Sequence, residues 1–224
     1  MCGRFTITLT KEDFLNYLMR YEDIEINLDE NLFPNYNVSP TEDIIAMIKP
    51  NQTYRVGAIK WGLIPHFITD LSKSKPLINA RAETLLEKNA FKQSTISKRC
   101  VIFADSFYEW KNVNGKKIPF RIMLKSKEVF AFAGIWSTNK KTEQTIYSAA
   151  IITTKANELM KDIHERMPVI LENKDIDTWL NPNFDKEKHL SLLKPYDSKA
   201  MFAYEVSTYV NMTTHKDKTC ILQK

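Results

Sequence analysis

Cys2 stands in Met1-Cys2-Gly3-Arg4-Phe5, directly behind the initiator methionine. A small side chain there suits the aminopeptidase that removes Met1, and removal makes Cys2 the N-terminus. One residue then carries two nucleophiles, a thiol and a free α-amine, and the pair can trap an aldehyde. The amine condenses to an imine, and the thiol closes onto the same carbon as a five-membered thiazolidine. Closure is intramolecular and so gains effective concentration. An α-amine titrates near ~7.7–8.0, which leaves a useful fraction neutral at cellular pH. A generic cysteine is more often a buried structural residue, and its reactivity depends on its surroundings. Other residues must therefore supply the rest of the chemistry.

Four stretches place polar residues where a plain core strand would not: Cys2-Gly3-Arg4, Asn79-Ala80-Arg81-Ala82-Glu83-Thr84, Asp105-Ser106-Phe107-Tyr108-Glu109-Trp110 and Ile163-His164-Glu165-Arg166-Met167-Pro168. Aldehyde capture from a sugar needs a general acid–base to open the hemiacetal and to expel water from a carbinolamine. Glu109, set between Tyr108 and Trp110, is the candidate, because partial burial tunes a carboxylate for that work; a surface carboxylate on a strand is the plain alternative. His164 can shuttle a proton or bond a developing oxygen, or be structural. Asn79 can hold the amine or a sugar hydroxyl, or simply cap a helix. Arg81 and Arg166 can grip phosphates, or pair with Glu83 and Glu165.

The elements that must position these residues follow from patterning. Gly3 to Leu9 alternates as a strand does. Thr10 caps a helix with Asp13 three residues on, and Phe14, Leu15, Leu18 and Met19 form its apolar face. Residues 22–40 read as loop. Strands are expected at Ile44–Ile48 and Tyr54–Trp61, an irregular loop at 65–78, and a helix over Ala82–Ile96. Further strands are expected at Cys100–Ala104, Phe107–Lys111, Ile118–Leu124, Val129–Trp136, Ile146–Thr153 and Met201–Val206. Asn114-Gly115 is a hairpin signal. Helices are expected over Ala156–Ile163, Asp175–Leu180 and Asp185–Leu193. No linker or repeat divides the series. The expectation is one α+β domain over residues 1–224, a mixed, largely antiparallel, barrel-like sheet with peripheral helices.

Composition narrows the classes. Of 224 residues 43% are hydrophobic, enough for a sizeable core, while only five are glycine. No glycine-rich phosphate loop is present, nor a signal peptide or an apolar run of transmembrane length. Three widely spaced cysteines suggest neither a disulfide framework nor a zinc site; no metal or cofactor is expected. A reducing cytoplasm is the natural compartment, with nucleoid association in a bacterium. Net charge is +5, mildly favourable to a polyanion. Seven arginines stand against 25 lysines, and three of the seven (Arg4, Arg81, Arg166) fall in the polar blocks. Arginine offers the planar fork that grips phosphate.

Met-Cys-Gly-Arg-Phe, Ile78 to Thr84, Arg99-Cys100 through Trp110, and Ile163 to Leu171 resemble, in that order, the SRAP family, the SOS-response-associated peptidases or abasic site processing proteins. The likeness continues at Tyr36 to Pro40, Trp61 to Pro65, Val206 to Asn211 and Cys220-Ile221. It implies a protein that binds single-stranded DNA carrying an abasic site and links to it through Cys2 as a thiazolidine, shielding the lesion during replication. By position Asn79 would orient the reacting groups, Glu109 serve as acid–base, and His164 assist at the sugar and in reversal. Arg4, Arg81 and Arg166 would hold the DNA backbone, with Trp110 and Pro40 lining the site. The family is also linked with lyase chemistry, crosslink release and autoproteolysis exposing Cys2. One departure stands out. Where relatives often carry a Trp that wedges against bases, this chain has His66-Phe67-Ile68; Phe67 can still stack on a base. A monomer is expected, and no protein partner is indicated. The competing readings are a cysteine (N-terminal nucleophile) peptidase, whose oxyanion donors sequence cannot locate, and a non-covalent single-strand-binding module with a silent Cys2.

Overall fold

A computed structural model describes residues 2–142 and 144–224, apart from the Lys73 side chain. Met1, whose loss the expected chemistry requires, lies outside the described residues. In chain order the elements are β1 (Arg4–Ile7), α1 (Lys11–Leu18), β2 (Ile24–Asn27), β3 (Asn35–Val38), β4 (Asp43–Ile48), β5 (Tyr54–Trp61), β6 (Asn79–Arg81) and α2 (Asn89–Ser97). Then come β7 (Arg99–Ala104), β8 (Ser106–Val113), β9 (Lys116–Leu124), β10 (Phe130–Asn139), β11 (Ile146–Lys155), α3 (Glu158–Lys161), β12 (Arg166–Pro168), β13 (Ile170–Leu171), α4 (Asn173–Leu180), α5 (Lys186–Ser191) and β14 (Met201–Glu205).

Local chemistry accounts for most of these boundaries. Thr10 caps α1 by accepting the Asp13 amide at 3.1 Å. Asn114 and Gly115 both have positive φ (50° and 80°), the backbone a two-residue hairpin turn needs between β8 and β9. Two expectations are corrected. Residues 22–40 are not a loop: β2 pairs in parallel with β5, and β3 antiparallel with β1. Both are edge strands of four residues, too short and too polar to show alternation. The expected helix over Ala82–Ile96 is broken as well. Ala82–Thr84 makes only a single 3-10 turn, and α2 begins at Asn89. Asn79–Arg81 is held as a strand against β11, and Glu83 is drawn to Arg166, so tertiary pairing overrides helix propensity.

Strands β5, β4, β7, β10 and β11 form a closed barrel, sealed by a parallel pairing of β11 with β5. A second sheet, in the order β14-β9-β8-β1-β3, is antiparallel throughout. The result is a mixed, largely antiparallel α+β domain with helices at its periphery. The central barrel strands are apolar on both faces. On β7, Val101 and Phe103 join the cluster built with Phe14, Leu18, Phe91 and Trp179 of the helices. Cys100, Ile102 and Ala104 point the other way, into the cluster with Phe5, Phe107 and Ile122 of the second sheet. Arg99 ends the α2–β7 connection with its guanidinium buried. It donates to the carbonyls of Thr95 and Asn181, and to that of Trp179 at 2.9 Å, so it caps two helix C-termini at once. Burial lowers its pKa to about 10. Among the described residues no helix is long and apolar enough to cross a membrane.

The barrel wall leaves no room at Gly134. A Cβ there would stand 2.9 Å from the Cys100 Sγ and 3.0 Å from the Ile102 Cδ1. Gly134→Ala is expected to cost ~1–3 kcal/mol by overpacking, measured by urea denaturation; a variant as stable as the parent would show that the Cys100 and Ile102 side chains yield at no cost.

Candidate active site

Strand β1 brings the chain start to β8. Arg4 pairs with Tyr108 and Phe5 with Phe107, so the residues before Arg4 run toward Glu109 and Trp110. The second polar block arrives from the barrel. The Ile78 carbonyl accepts the Trp61 indole N–H at 3.0 Å and the Ile151 amide at 3.0 Å, which fixes the start of β6. Asn79 then donates its side-chain amide to the Cys2 carbonyl at 2.8 Å. Its Oδ1 is buried and has no hydrogen-bond partner among the described residues. The fourth block folds back from α3, where the His164 amide bonds the Met160 carbonyl at 2.8 Å. The His164 Nδ1 accepts the Arg166 amide at 3.0 Å, so in the neutral ring the proton sits on Nε2.

Cys2 is fully buried, and its Sγ lies 3.9 Å from the Arg4 carbonyl. Burial pushes the thiol pKa up, and the negative charge of Glu109 pushes it further the same way. Both effects, partly offset by the N-terminal charge and the Arg4 carbonyl contact, favour the protonated thiol. Glu109 is buried too, at 2% exposure. An open cleft of about 540 Å³ is lined by Arg4, Glu109, Trp110 and His164, with Asn112, Lys117 and Asn211. Four of the residues singled out from sequence thus converge on one cleft, with Cys2 and Asn79 bonded to each other and the charge of Glu109 reaching the Cys2 thiol.

The remaining candidates are placed differently. Arg166 forms a fork-to-fork pair with Glu83, at 2.7 and 2.9 Å, and donates to the Thr153 carbonyl at 2.7 Å. That pairing holds the Glu83 carboxyl below its usual range. Arg81 is exposed on β6, opposite Thr153. Pro40 is half-buried in the turn between β3 and β4. Phe67 is 43% exposed, on a loop tied down by Asn139, whose side-chain amide donates to the carbonyls of Pro65 and Ile68 at 2.9 and 2.8 Å.

Sequence reasoning gave no role to Asn37, Asn112, Lys117 or Asn211. Arg4 donates to Asn37 Oδ1 at 2.8 Å and to the carbonyls of Val210 and Asn211 at 2.7 and 3.1 Å, with Trp110 5.7 Å from its guanidinium. Asn37 in turn donates to the carbonyls of Val210, Met212 and His215. The Trp110 indole N–H donates to Asn211 Oδ1 at 2.8 Å. The available signals were the polar Asn35-Tyr36-Asn37 run and the family likeness at Tyr36 to Pro40 and Val206 to Asn211, neither of which pointed to a role. The partners of Asn37 lie more than 170 positions away and accept through backbone carbonyls, which no residue type announces.

Residues 1–213 match the family model described as SOS response associated peptidase (SRAP). The chain is 47% identical over 219 residues to abasic site processing protein YoqW of Bacillus subtilis, covering 94% of each. It is 31% identical over 180 residues to abasic site processing protein YedK of Escherichia coli, covering 80% of this chain and 79% of that protein. Among solved structures, a protein from Bacteroides thetaiotaomicron superposes with a TM-score of 0.86 at 26% identity over the whole of both chains. By sequence along nearly its full length, and by fold, the chain belongs to the SOS response associated peptidase family.

Proposed function

We propose that this protein, as its abasic-site-processing relatives are named for doing, acts on abasic sites in DNA, and that it captures them in single strands as a thiazolidine at Cys2 once Met1 is gone. The observation that carries this reading is the Cys2 carbonyl held by Asn79 beside buried Glu109, on the flank of a cleft that also presents His164 and Arg4.

The abasic deoxyribose is a hemiacetal in equilibrium with its open aldehyde. Opening removes the proton from the C1′ hydroxyl and delivers one to the ring oxygen, a transfer suited to Glu109. The Cys2 amine adds to C1′, and loss of one water gives the imine. The thiol then adds across it. The C–S bond forms, the C=N π pair passes to nitrogen, and the thiol proton follows by way of Glu109. The sum is amine, thiol and aldehyde to thiazolidine and water. Burial and Glu109 keep the resting thiol protonated, and the positive iminium on the same residue opposes both effects. This supports the order amine first and thiol second. His164 offers its Nε2–H to sugar oxygens, and Arg4 its charge to the backbone. Arg81 and Phe67 lie outward of the cleft, where the flanking strand would pass, and Arg166 acts there through its pair with Glu83. The imine is also the species from which β-elimination would break the strand, so ring closure competes with lyase chemistry. We assign the reaction to a cytoplasmic, nucleoid-associated monomer. A cysteine peptidase would need a resting thiolate, the opposite of what burial and Glu109 impose on Cys2.

Three outcomes test this reading. Met1-processed protein and a single strand with one abasic site should give a heat-stable shifted band on a denaturing gel. The band should vanish with Cys2→Ala and with an undamaged strand; its absence from a sample whose free N-terminal Cys2 is verified by mass spectrometry would overturn the proposal. Glu109→Gln should slow crosslinking ~100-fold or more while leaving strand affinity nearly unchanged; lost affinity would instead make Glu109 structural. The raised thiol pKa means a depleted thiolate at neutral pH, so iodoacetamide at pH 8 should label Cys2 at least about tenfold more slowly than free cysteine. Equal labelling rates would contradict the amine-first order.

A further inference from the structure

Among the described residues the barrel is sealed by two residue pairs, Ser148 with Lys60 and Ala149 with Trp61. Beyond them β5 and β11 part, and the gap is a pocket of about 210 Å³ between the β5 backbone and the rings of Trp136 and Tyr147. Ala46, Gly57 and Ala58 line it with small groups and keep it open. It is smaller than the ~300 Å³ at which ordinary small-molecule sites begin, and suits one flat ring. Trp136 and Tyr147 stand 6.4 Å apart between centroids, and Tyr147 is 54% exposed, with a ring face available for stacking.

The rim is cationic. The Lys98 ammonium sits 4.8 Å from the centre of the Trp136 ring and donates to Thr138 Oγ1 at 3.0 Å. Burial lowers its pKa, and the nearby charge of Lys140 lowers it further. Among the described residues neither lysine has a carboxylate partner, whereas Arg55 on the opposite wall is paired with Glu25 at 2.9 Å. Two cations that lack a carboxylate partner among the described residues, beside an aromatic slot, complement a base with its phosphates.

We propose that this pocket takes one unpaired nucleobase of a DNA strand, stacked on Tyr147, with the adjoining phosphates on Lys98 and Lys140. The proposal rests on the single-strand reading above and extends it to a second region of the surface. Along β11, Tyr147 lies six residues from Thr153, which accepts from Arg166, a span of roughly 20 Å at ~3.3 Å per residue. A strand leaving the cleft can therefore reach the pocket. The loop that carries Phe67 is tied to Asn139, three residues beyond Trp136, and adds a stacking ring at the same end of the β10–β11 hairpin.

The test separates the two regions by strand length. A trinucleotide with a central abasic site reports on the cleft alone. An undamaged single strand of about 20 nucleotides, longer than the ~4–16 that one binding module covers, reports on both. Tyr147→Ala is expected to weaken binding of the long strand at least about fivefold, and Tyr147→Phe to restore it. Combined Lys98→Gln and Lys140→Gln should reduce the slope of log affinity against log salt by about 1.4, near 0.7 for each phosphate no longer neutralised. Crosslinking of the trinucleotide should be unchanged in every variant. Long-strand affinity and salt slope equal to the parent's would overturn the proposal. A parent that binds the long strand through Tyr147 but never crosslinks the trinucleotide would sink the abasic-site reading and leave this one standing.

Discussion

The site is organised by a cation satisfied entirely by neutral oxygens. The half-buried Arg4 guanidinium is met by one side-chain amide oxygen and two backbone carbonyls. The carboxylate that most affects it, Glu42, is itself bonded to Lys216. Neutral acceptors offset the cost of desolvating the guanidinium without cancelling its charge, so a positive field survives at the cleft where a polyanion would need it. The same three bonds draw residues 210 and 211 onto the chain start. Asn37 completes the clamp, and Trp110 is held through Asn211. Without Arg4 the cleft would lose its half-buried cation and one of its walls together.

Beneath that clamp a buried polar network fixes the register of β1 on β8. Asp105 accepts from Thr8 Oγ1 at 2.7 Å and from Thr6 Oγ1, and lies 3.8 Å from Arg121. Arg121 continues to Ser106 Oγ at 2.7 Å and Tyr204 at 2.8 Å, and Tyr204 to the Ile221 carbonyl at 2.9 Å. A slip of one residue would turn every β1 side chain, Arg4 included, to the other face, and would leave a buried carboxylate without its donors, a penalty of several kcal/mol. Asp105 sits in the same polar block as Glu109 yet serves the frame, while Glu109 faces the cleft. Burial alone does not separate the two roles; partners do.

The fold was legible wherever strands are long and buried. Tyr54–Trp61 and the run from Cys100 to Leu124 read correctly because their apolar content exceeds what a helix face or a loop would show. Edge strands β2 and β3 were illegible because their partners, not their side chains, make them strands. Of the site, the polar blocks carrying Cys2, Asn79, Glu109 and His164 were visible as interruptions of apolar surroundings. Arg166 shows the limit: Glu83 and Glu165 were equal candidates for its ion pair until topology brought β6 and β12 to the two sides of β11. The carbonyl clamp around Arg4 was invisible for a different reason, since backbone acceptors carry no sequence mark.

The burial of the Cys2 thiol, which pushes its pKa up, bears on oxidative stress. Oxidants that erode DNA also oxidise cysteines, and they act on exposed thiolates first. All three cysteines here are buried, and the one proposed to react has its ionisation suppressed twice over. Peroxide therefore meets no ready thiol target among the described residues. In the proposed reaction the aldehyde reaches the same thiol by another door, through the amine, and a nucleophile kept dormant toward oxidants would stay competent during the stress that creates abasic sites.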